Sequence, residues 1–179
     1  MEASPRARDR PSQARDEVWR HAEAQCDVAA DAGSVFDYID QPERLSAHMA
    51  RRSWWLAGSS MVIETDRDGG RAVGSRIHLA GRILGIELHV DGEILQRDPP
   101  RRKAWQTLGE PRLLVIGRYR MSVDIEPRDA RCRVTIGIEH TLPKSRPSRW
   151  LATLLGRYYA HWCVQQMAAD LVHQFGRSP

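Results

Sequence analysis

The sequence predicts an α+β fold, in which a curved antiparallel sheet packs against one long helix at the end of the chain. Three observations support this. One strand pattern and two short helix patterns come first, alternating strand patterns then continue to Leu142, and a long amphipathic pattern closes the chain. The apolar stripe of a terminal helix needs a partner, and the concave face of the sheet is the largest apolar surface left. We expect this arrangement to enclose a cavity.

Length and composition fit a single folded domain. The chain has 179 residues, of which 41% are hydrophobic and 28% charged. Residues 1–18 have almost no apolar content and are predicted to be a disordered basic N-terminal tail, with residues 19–176 as the domain. No apolar run reaches the roughly 18 residues of a membrane span, and no secretory signal is evident, so a cytoplasmic location is expected.

The domain opens with a strand and a helix pair. Apolar and polar residues alternate from Arg20 to Ala30, as in a half-buried strand. Asp31 is a predicted helix cap, and the apolar residues of that helix recur at helical spacing: Val35, Phe36 and Ile39. Asp40 and Glu43 form a capping-box pattern that predicts a second short helix, with Leu45 and Met49 on its apolar edge.

Strand patterns then follow one another. The strand Met61–Thr65 ends at a turn, Asp66–Gly70, whose paired glycines suit positive φ. The next two strands, Ser75–Arg82 and Ile86–Leu95, are predicted to form a hairpin. A turn centred on Ile83 and Leu84 would pair Ile77 with Val90, Leu79 with Leu88, Arg76 with Asp91 and His78 with His89.

Three more strands and the closing helix complete the prediction. Breaks at residues 98–100 and 109–111 bound the strand Lys103–Leu108, and alternation resumes over Leu113–Glu126. The last strand has an inward set of Cys132, Val134, Ile136, Ile138, His140 and Leu142. The helix is predicted over Arg149–Phe175, with Gly176 as its cap and a buried stripe of Leu151, Leu154, Tyr158, Val164, Met167, Leu171 and Phe175.

This order of elements resembles the START-like superfamily (SRPBCC), which includes polyketide cyclases and dehydratases, lipid-transport domains and Bet v 1-like proteins. The resemblance rests on residues 28–49 (VAADAGSVFDYIDQPERLSAHM), on the turn DRDGGRAVGS at residues 66–75 and on the closing helix. It implies a helix-grip fold: a curved seven-stranded antiparallel sheet wrapped around the C-terminal helix, with two short helices after the first strand. It also implies a cavity between the sheet and that helix.

Three functions are compatible with these patterns. The leading hypothesis is binding or transport of a hydrophobic small molecule or lipid in the cavity. The second is an enzyme of the polyketide cyclase, dehydratase or aromatase type, and the third is an interaction protein acting on a membrane or ribonucleoprotein surface. The motifs GxSxG and HExxH and a phosphate loop are absent from the sequence, so catalysis is left open, as is the oligomeric state.

Candidate site residues come from the inward positions and from one aromatic loop. His140 and Tyr119 are weak candidates for proton transfer, with ordinary core packing as the alternative. The predicted ligand-binding set is Trp54, Trp55, Trp105, Tyr119, Met121, His140, Tyr158, His161 and Trp162. The adjacent Trp54 and Trp55, which follow Arg51 and Arg52, suit either contact with lipid headgroups or packing under a loop.

Metal ions and cofactors are not predicted. His78 and His89 share one face but lack a third ligand of fixed spacing, so a solvated outer face explains them better. Cys26, Cys132 and Cys163 are odd in number and widely spaced, which favours small buried residues over disulfides. A net charge of +4 is compatible with an anionic membrane surface, and a nucleic-acid partner is not expected.

Overall fold

We describe the fold from a computed structural model, which covers residues 18–45, 60–83, 86–113, 115–144 and 146–176. Residues 1–17 of the predicted tail lie outside these ranges, as do Trp54 and Trp55. The tail is not basic by composition, because its four arginines are matched by two aspartates and two glutamates.

Seven strands form one antiparallel sheet, as predicted. They are β1 (Arg20–Val28), β2 (Ser60–Thr65), β3 (Arg76–Ile83), β4 (Ile86–Asp98), β5 (Arg102–Arg112), β6 (Tyr119–Arg128) and β7 (Arg131–His140). The strand order is β1-β7-β6-β5-β4-β3-β2, so β1 and β2 are the sheet edges and β1 pairs with the last strand. The pairing of β1 with β7 brings the helices that follow β1 close to the C-terminal part of the chain.

In the described residues the helices are α1 (Ala32–Ile39), α2 (Pro42–Leu45) and α3 (Arg146–Phe175). Asp31 caps α1 by accepting a hydrogen bond from the Ser34 amide at 2.9 Å, and the three apolar residues predicted for this helix are buried. Helix α2 is described over a single turn, and Met49 lies outside the described residues. None of the described helices has the length and apolarity needed to cross a bilayer.

The β3–β4 hairpin has a different register from the predicted one. Leu79 pairs with Val90 and not with Leu88, and His78 pairs with Asp91 and not with His89. The turn is therefore centred one residue further along the chain than predicted. Because the register differs by two residues, every side chain keeps its predicted face although its partner changes.

Three other strand boundaries also differ. Strand β5 continues through Gly109, which has φ of 64°, to Arg112, whereas a break was predicted there. Strand β6 begins only at Tyr119, and β7 ends at His140, two residues before Leu142.

Helix α3 packs across β1 and β7. It begins at Arg146, three residues before the predicted start, and ends before Gly176, which has φ of 79°. Its backbone approaches closely at Gly156, where a Cβ atom would lie 2.8 Å from the carbonyl oxygen of Val115. The inner face of β2 to β5 is less covered, with half-buried apolar residues Ile63, Ile77, Leu79, Leu88 and Trp105.

Candidate functional site

The candidate site lies on the inner face of β5, β6 and β7, beside α3. Tyr119 pairs with His140 across β6 and β7, and Met121 pairs with Trp105 on β5. Strand alternation places all four side chains on the same face. The Thr107 hydroxyl accepts a hydrogen bond from the Tyr119 amide at 3.1 Å, which ties the start of β6 to β5. The sequence therefore brings three predicted site residues next to Tyr119.

Helix α3 adds two polar groups to this face. The side chains of Tyr159 and Cys163 lie close enough to Tyr119 for their electrostatic effects to reach one another. Burial, and then the neighbouring Cys163, raise the pKa of both Tyr119 and Tyr159 well above the ordinary value. Burial also raises the pKa of the Cys163 thiol to about 11. At neutral pH all three groups are protonated and act as hydrogen-bond donors.

The two tyrosine hydroxyls differ from the other polar groups of this face in their hydrogen bonding. Within the described residues, neither the Tyr119 nor the Tyr159 hydroxyl has a hydrogen-bond partner in the protein, although both side chains are half-buried among apolar residues. A phenol in such surroundings usually finds a partner. These two hydroxyls are the polar groups that set this face apart from an ordinary core.

His140 occupies a core position. It is 1% exposed, and its Nδ1 donates a hydrogen bond to the carbonyl oxygen of Thr141 at 3.3 Å. Burial lowers the pKa of His140, so the ring is neutral at pH 7 and Nε2 is its acceptor atom. This geometry matches the alternative of a core histidine with one hydrogen bond.

The prediction that Tyr158 lies on the buried face of the helix is wrong, and the neighbouring Tyr159 is the half-buried tyrosine. Tyr158 is 74% exposed. Val164 follows Tyr158 by six positions, and six residues rotate by about 240° around the helix axis. The side chain of Tyr158 therefore does not lie on the buried face that contains Val164. Tyr159, Cys163, Met167 and Leu171 recur every four residues and stay on one face. Counting back by four from Met167 would have found Tyr159 in the sequence.

The other predicted ligand-binding residues lie in different environments. Trp105 is half-buried against the core, whereas Met121 is 7% exposed and belongs to the core itself. Trp162 is half-buried, and its ring centroid lies 5.9 Å from that of Tyr159. His161 is exposed. Of the nine predicted residues, Trp105, Tyr119 and Trp162 remain the best placed among those described.

A buried charge cluster anchors the helix pair beside this face. The Asp40 carboxylate accepts hydrogen bonds from Lys103 Nζ at 2.7 Å and from Arg97 Nη2 at 3.0 Å. Lys103 Nζ also donates to the carbonyl oxygens of Asp40 and Gly70. Lys103 is 2% exposed, so its charge does not contribute to a cationic surface. Arg102 is also paired, with Asp124.

Comparison with known families identifies the class of protein. A family model described as polyketide cyclase / dehydrase and lipid transport matches residues 20–175. The chain therefore belongs to this family, as its sequence patterns predict. No curated protein matches the sequence significantly.

Solved structures share the fold at low sequence identity. Truncated norcoclaurine synthase from Thalictrum flavum superposes with a TM-score of 0.63 and 16% identity, covering 93% of this chain and 99% of that one. The protein TTHA0849 from Thermus thermophilus gives 0.59 and 13%, covering 87% and 99%. Ara h 8.0201 gives 0.55 and 9%, also covering 87% and 99%. These similarities establish the helix-grip fold and no particular activity.

Proposed function

We propose that the protein binds a hydrophobic small molecule or lipid that carries an oxygen atom, on the inner face of the sheet beside α3. The observation that carries this proposal is the pair of phenol hydroxyls, Tyr119 and Tyr159, which lack partners among the described residues. Apolar walls supply affinity, and a few placed donors fix the orientation of a ligand.

The chemistry of the two tyrosines defines the ligand further. Both hydroxyls stay protonated, because burial raises the pKa of each of them. A protonated phenol donates to a carbonyl, hydroxyl or carboxylate oxygen. Trp105 and Trp162 supply flat apolar surface on the sheet side and the helix side. An aromatic or polyketide-like compound with a carbonyl group fits this arrangement, as does a lipid.

The first experiment identifies the ligand. Native mass spectrometry of the purified protein, followed by organic extraction, would detect and name any compound that travels with the chain. We expect a discrete hydrophobic compound with at least one oxygen atom. A compound without oxygen would contradict the assigned role of the hydroxyls.

The second experiment tests the tyrosines with a matched control. Tyr119→Phe and Tyr159→Phe each remove one donor and should weaken ligand binding by about three- to tenfold, the usual net contribution of one hydrogen bond. Tyr158→Phe changes the exposed neighbour and should leave the affinity unchanged. Equal affinities in all three variants would show that neither hydroxyl contacts the ligand.

A second candidate function is a cyclase or dehydratase. The observation that favours it is the adjacent pair of a neutral imidazole and a protonated phenol, since His140 and Tyr119 are cross-strand partners. Such a pair can act as base and acid in an aldol-type ring closure or a dehydration. The near-complete burial of His140 stands against direct access to a substrate.

The two functions predict different effects of one substitution. In an enzyme, His140→Gln should abolish turnover of a polyketide-like thioester while changing ligand affinity little. In a carrier, the same substitution changes only stability. The third hypothesis, an interaction protein with a cationic surface, has little support in the described residues because Lys103 is buried and Arg102 and Lys144 are paired with carboxylates. Arg51 and Arg52 lie outside those residues.

A further inference from the structure

We propose that His78, His89 and Asp91, on the outer face of the β3–β4 hairpin, bind one divalent transition-metal ion, with Zn²⁺ as the first candidate. This site is separate from the inner face and does not depend on the ligand proposed there. The register places Asp91 directly across from His78, which supplies the third ligand that the sequence pattern lacks.

Both histidine rings already direct one nitrogen at the carboxylate of Asp91. His78 Nδ1 lies 2.7 Å from Asp91 Oδ1, and His89 Nε2 lies 3.2 Å from Asp91 Oδ2. One ligand atom from each residue lies within 4.8 Å of the others. Two atoms bound to a tetrahedral Zn²⁺ at about 2.0 Å are about 3.3 Å apart. The widest separation, which is at most 4.8 Å, therefore has to shrink by no more than about 1.5 Å, and the imidazole of His89 is exposed enough to turn.

The donor set suits a transition metal better than calcium or magnesium. Two imidazoles and one carboxylate are ligands typical of Zn²⁺ and related ions, whereas hard cations prefer all-oxygen sites. Three protein ligands leave at least one position open for water. The histidine rings are in edge-to-face contact, with centroids 4.4 Å apart, so the two imidazoles already share one patch of the outer face.

The neighbouring charged residues differ on the two sides of the proposed site: a carboxylate lies next to His78 and a guanidinium group next to His89. Glu64 on β2 pairs with His78 and lines the same shallow surface depression as His78 and Asp91, where its carboxylate can serve as a fourth ligand. Arg112 on β5 pairs with His89 and opposes the ion. Arg82 is held by Glu87 at 2.9 Å.

The test is a titration of the reduced full-length protein with Zn²⁺, followed by NMR of the histidine rings. We expect the ring signals of His78 and His89 to shift together and to saturate at one equivalent. Signals of His21, His140, His161 and His173 should not move. Shifts confined to residues around Cys26 or Cys132, or no shift at all, would overturn the proposal.

Two variants and a control test which residues bind the metal. His78→Gln and Asp91→Asn should each weaken Zn²⁺ binding by at least about tenfold, measured by calorimetry. His173→Gln removes an exposed histidine on α3 and should leave binding unchanged. Undiminished affinity in His78→Gln would place the metal elsewhere. Since all three positions are on the surface, circular dichroism should show the same fold in every variant.

Discussion

Asp40 forms ion pairs with two cationic side chains and is itself buried. It ends α1, and its carboxylate holds one buried ammonium group and one half-exposed guanidinium group, from Lys103 and Arg97. Removing one partner of a buried pair leaves the other charge without compensation, which costs more than the pair itself contributes. The ion pairs of Asp40 therefore join the helix pair to β4 and β5, in addition to the packing of Val35, Phe36 and Ile39 in the core.

The substitution Asp40→Asn should lower the free energy of unfolding by about 3 kcal/mol, because Lys103 loses its counter-charge in a buried position. Urea denaturation measures this change. Asp37→Asn, at an exposed position on the same helix, serves as the matched control and should change stability by less than about 0.5 kcal/mol. Similar stabilities for the two variants would contradict the role assigned to Asp40.

Acid should weaken the fold through the same group. Burial alone raises the pKa of Asp40, but hydrogen bonds from Arg97 and Lys103 outweigh burial and hold the pKa below the ordinary 3.8. The unfolded chain then takes up the proton first, so this contribution to stability is complete well above pH 3.8 and is lost as the pH falls through the folded-state pKa. Unfolding measured from pH 6 to pH 2 should show a smaller loss of stability in Asp40→Asn than in the native protein.

At the scale of single elements, α3 depends on a close contact at Gly156. Alanine normally stabilises a helix by about 1 kcal/mol relative to glycine. Here the new Cβ would lie 2.8 Å from the backbone oxygen of Val115 and would push the helix away from the segment between β5 and β6. We expect Gly156→Ala to destabilise the protein by about 1–2 kcal/mol in thermal or urea unfolding.

The control for this prediction lies on the same helix. Gln165→Ala places alanine at an exposed position and should be neutral or slightly stabilising. A more stable Gly156→Ala variant would mean that helix propensity outweighs the contact with Val115.

Elements differ in how well the sequence predicts them, and the reasons are physical. Alternation identifies which face of a strand is buried, so the inward set predicted for the last strand agrees with the structure from Cys132 to His140. Alternation does not identify the partner, and the β3–β4 register therefore differs from prediction by two residues while each face is retained. In α3 the predicted buried stripe is wrong at Tyr158, because the six-residue spacing between Tyr158 and Val164 places the two side chains on different faces of a helix.

At the scale of the whole molecule, the order of elements is enough to predict the helix-grip fold. The chain runs from one strand through two short helices to six further strands and a long helix. In the described residues the seven strands form one antiparallel sheet, and α3 packs on β1 and β7. The site is less predictable because it depends on contacts between distant segments. Tyr159 and Cys163 on α3 meet Tyr119 on β6, and Lys103 meets Asp40, although no local pattern links them.

The central claim is that a hydrophobic ligand contacts the Tyr119 and Tyr159 hydroxyls, and the chain has a built-in control because it contains four tyrosines. The most direct measurement is NMR of protein labelled with ¹³C at the tyrosine Cζ atoms, titrated with the probe 8-anilinonaphthalene-1-sulfonate. We predict that the signals of Tyr119 and Tyr159 shift on binding, whereas the exposed Tyr158 and Tyr38, which packs on Phe175, do not. Shifts at Tyr158 or Tyr38 with none at Tyr119 and Tyr159 would contradict the account.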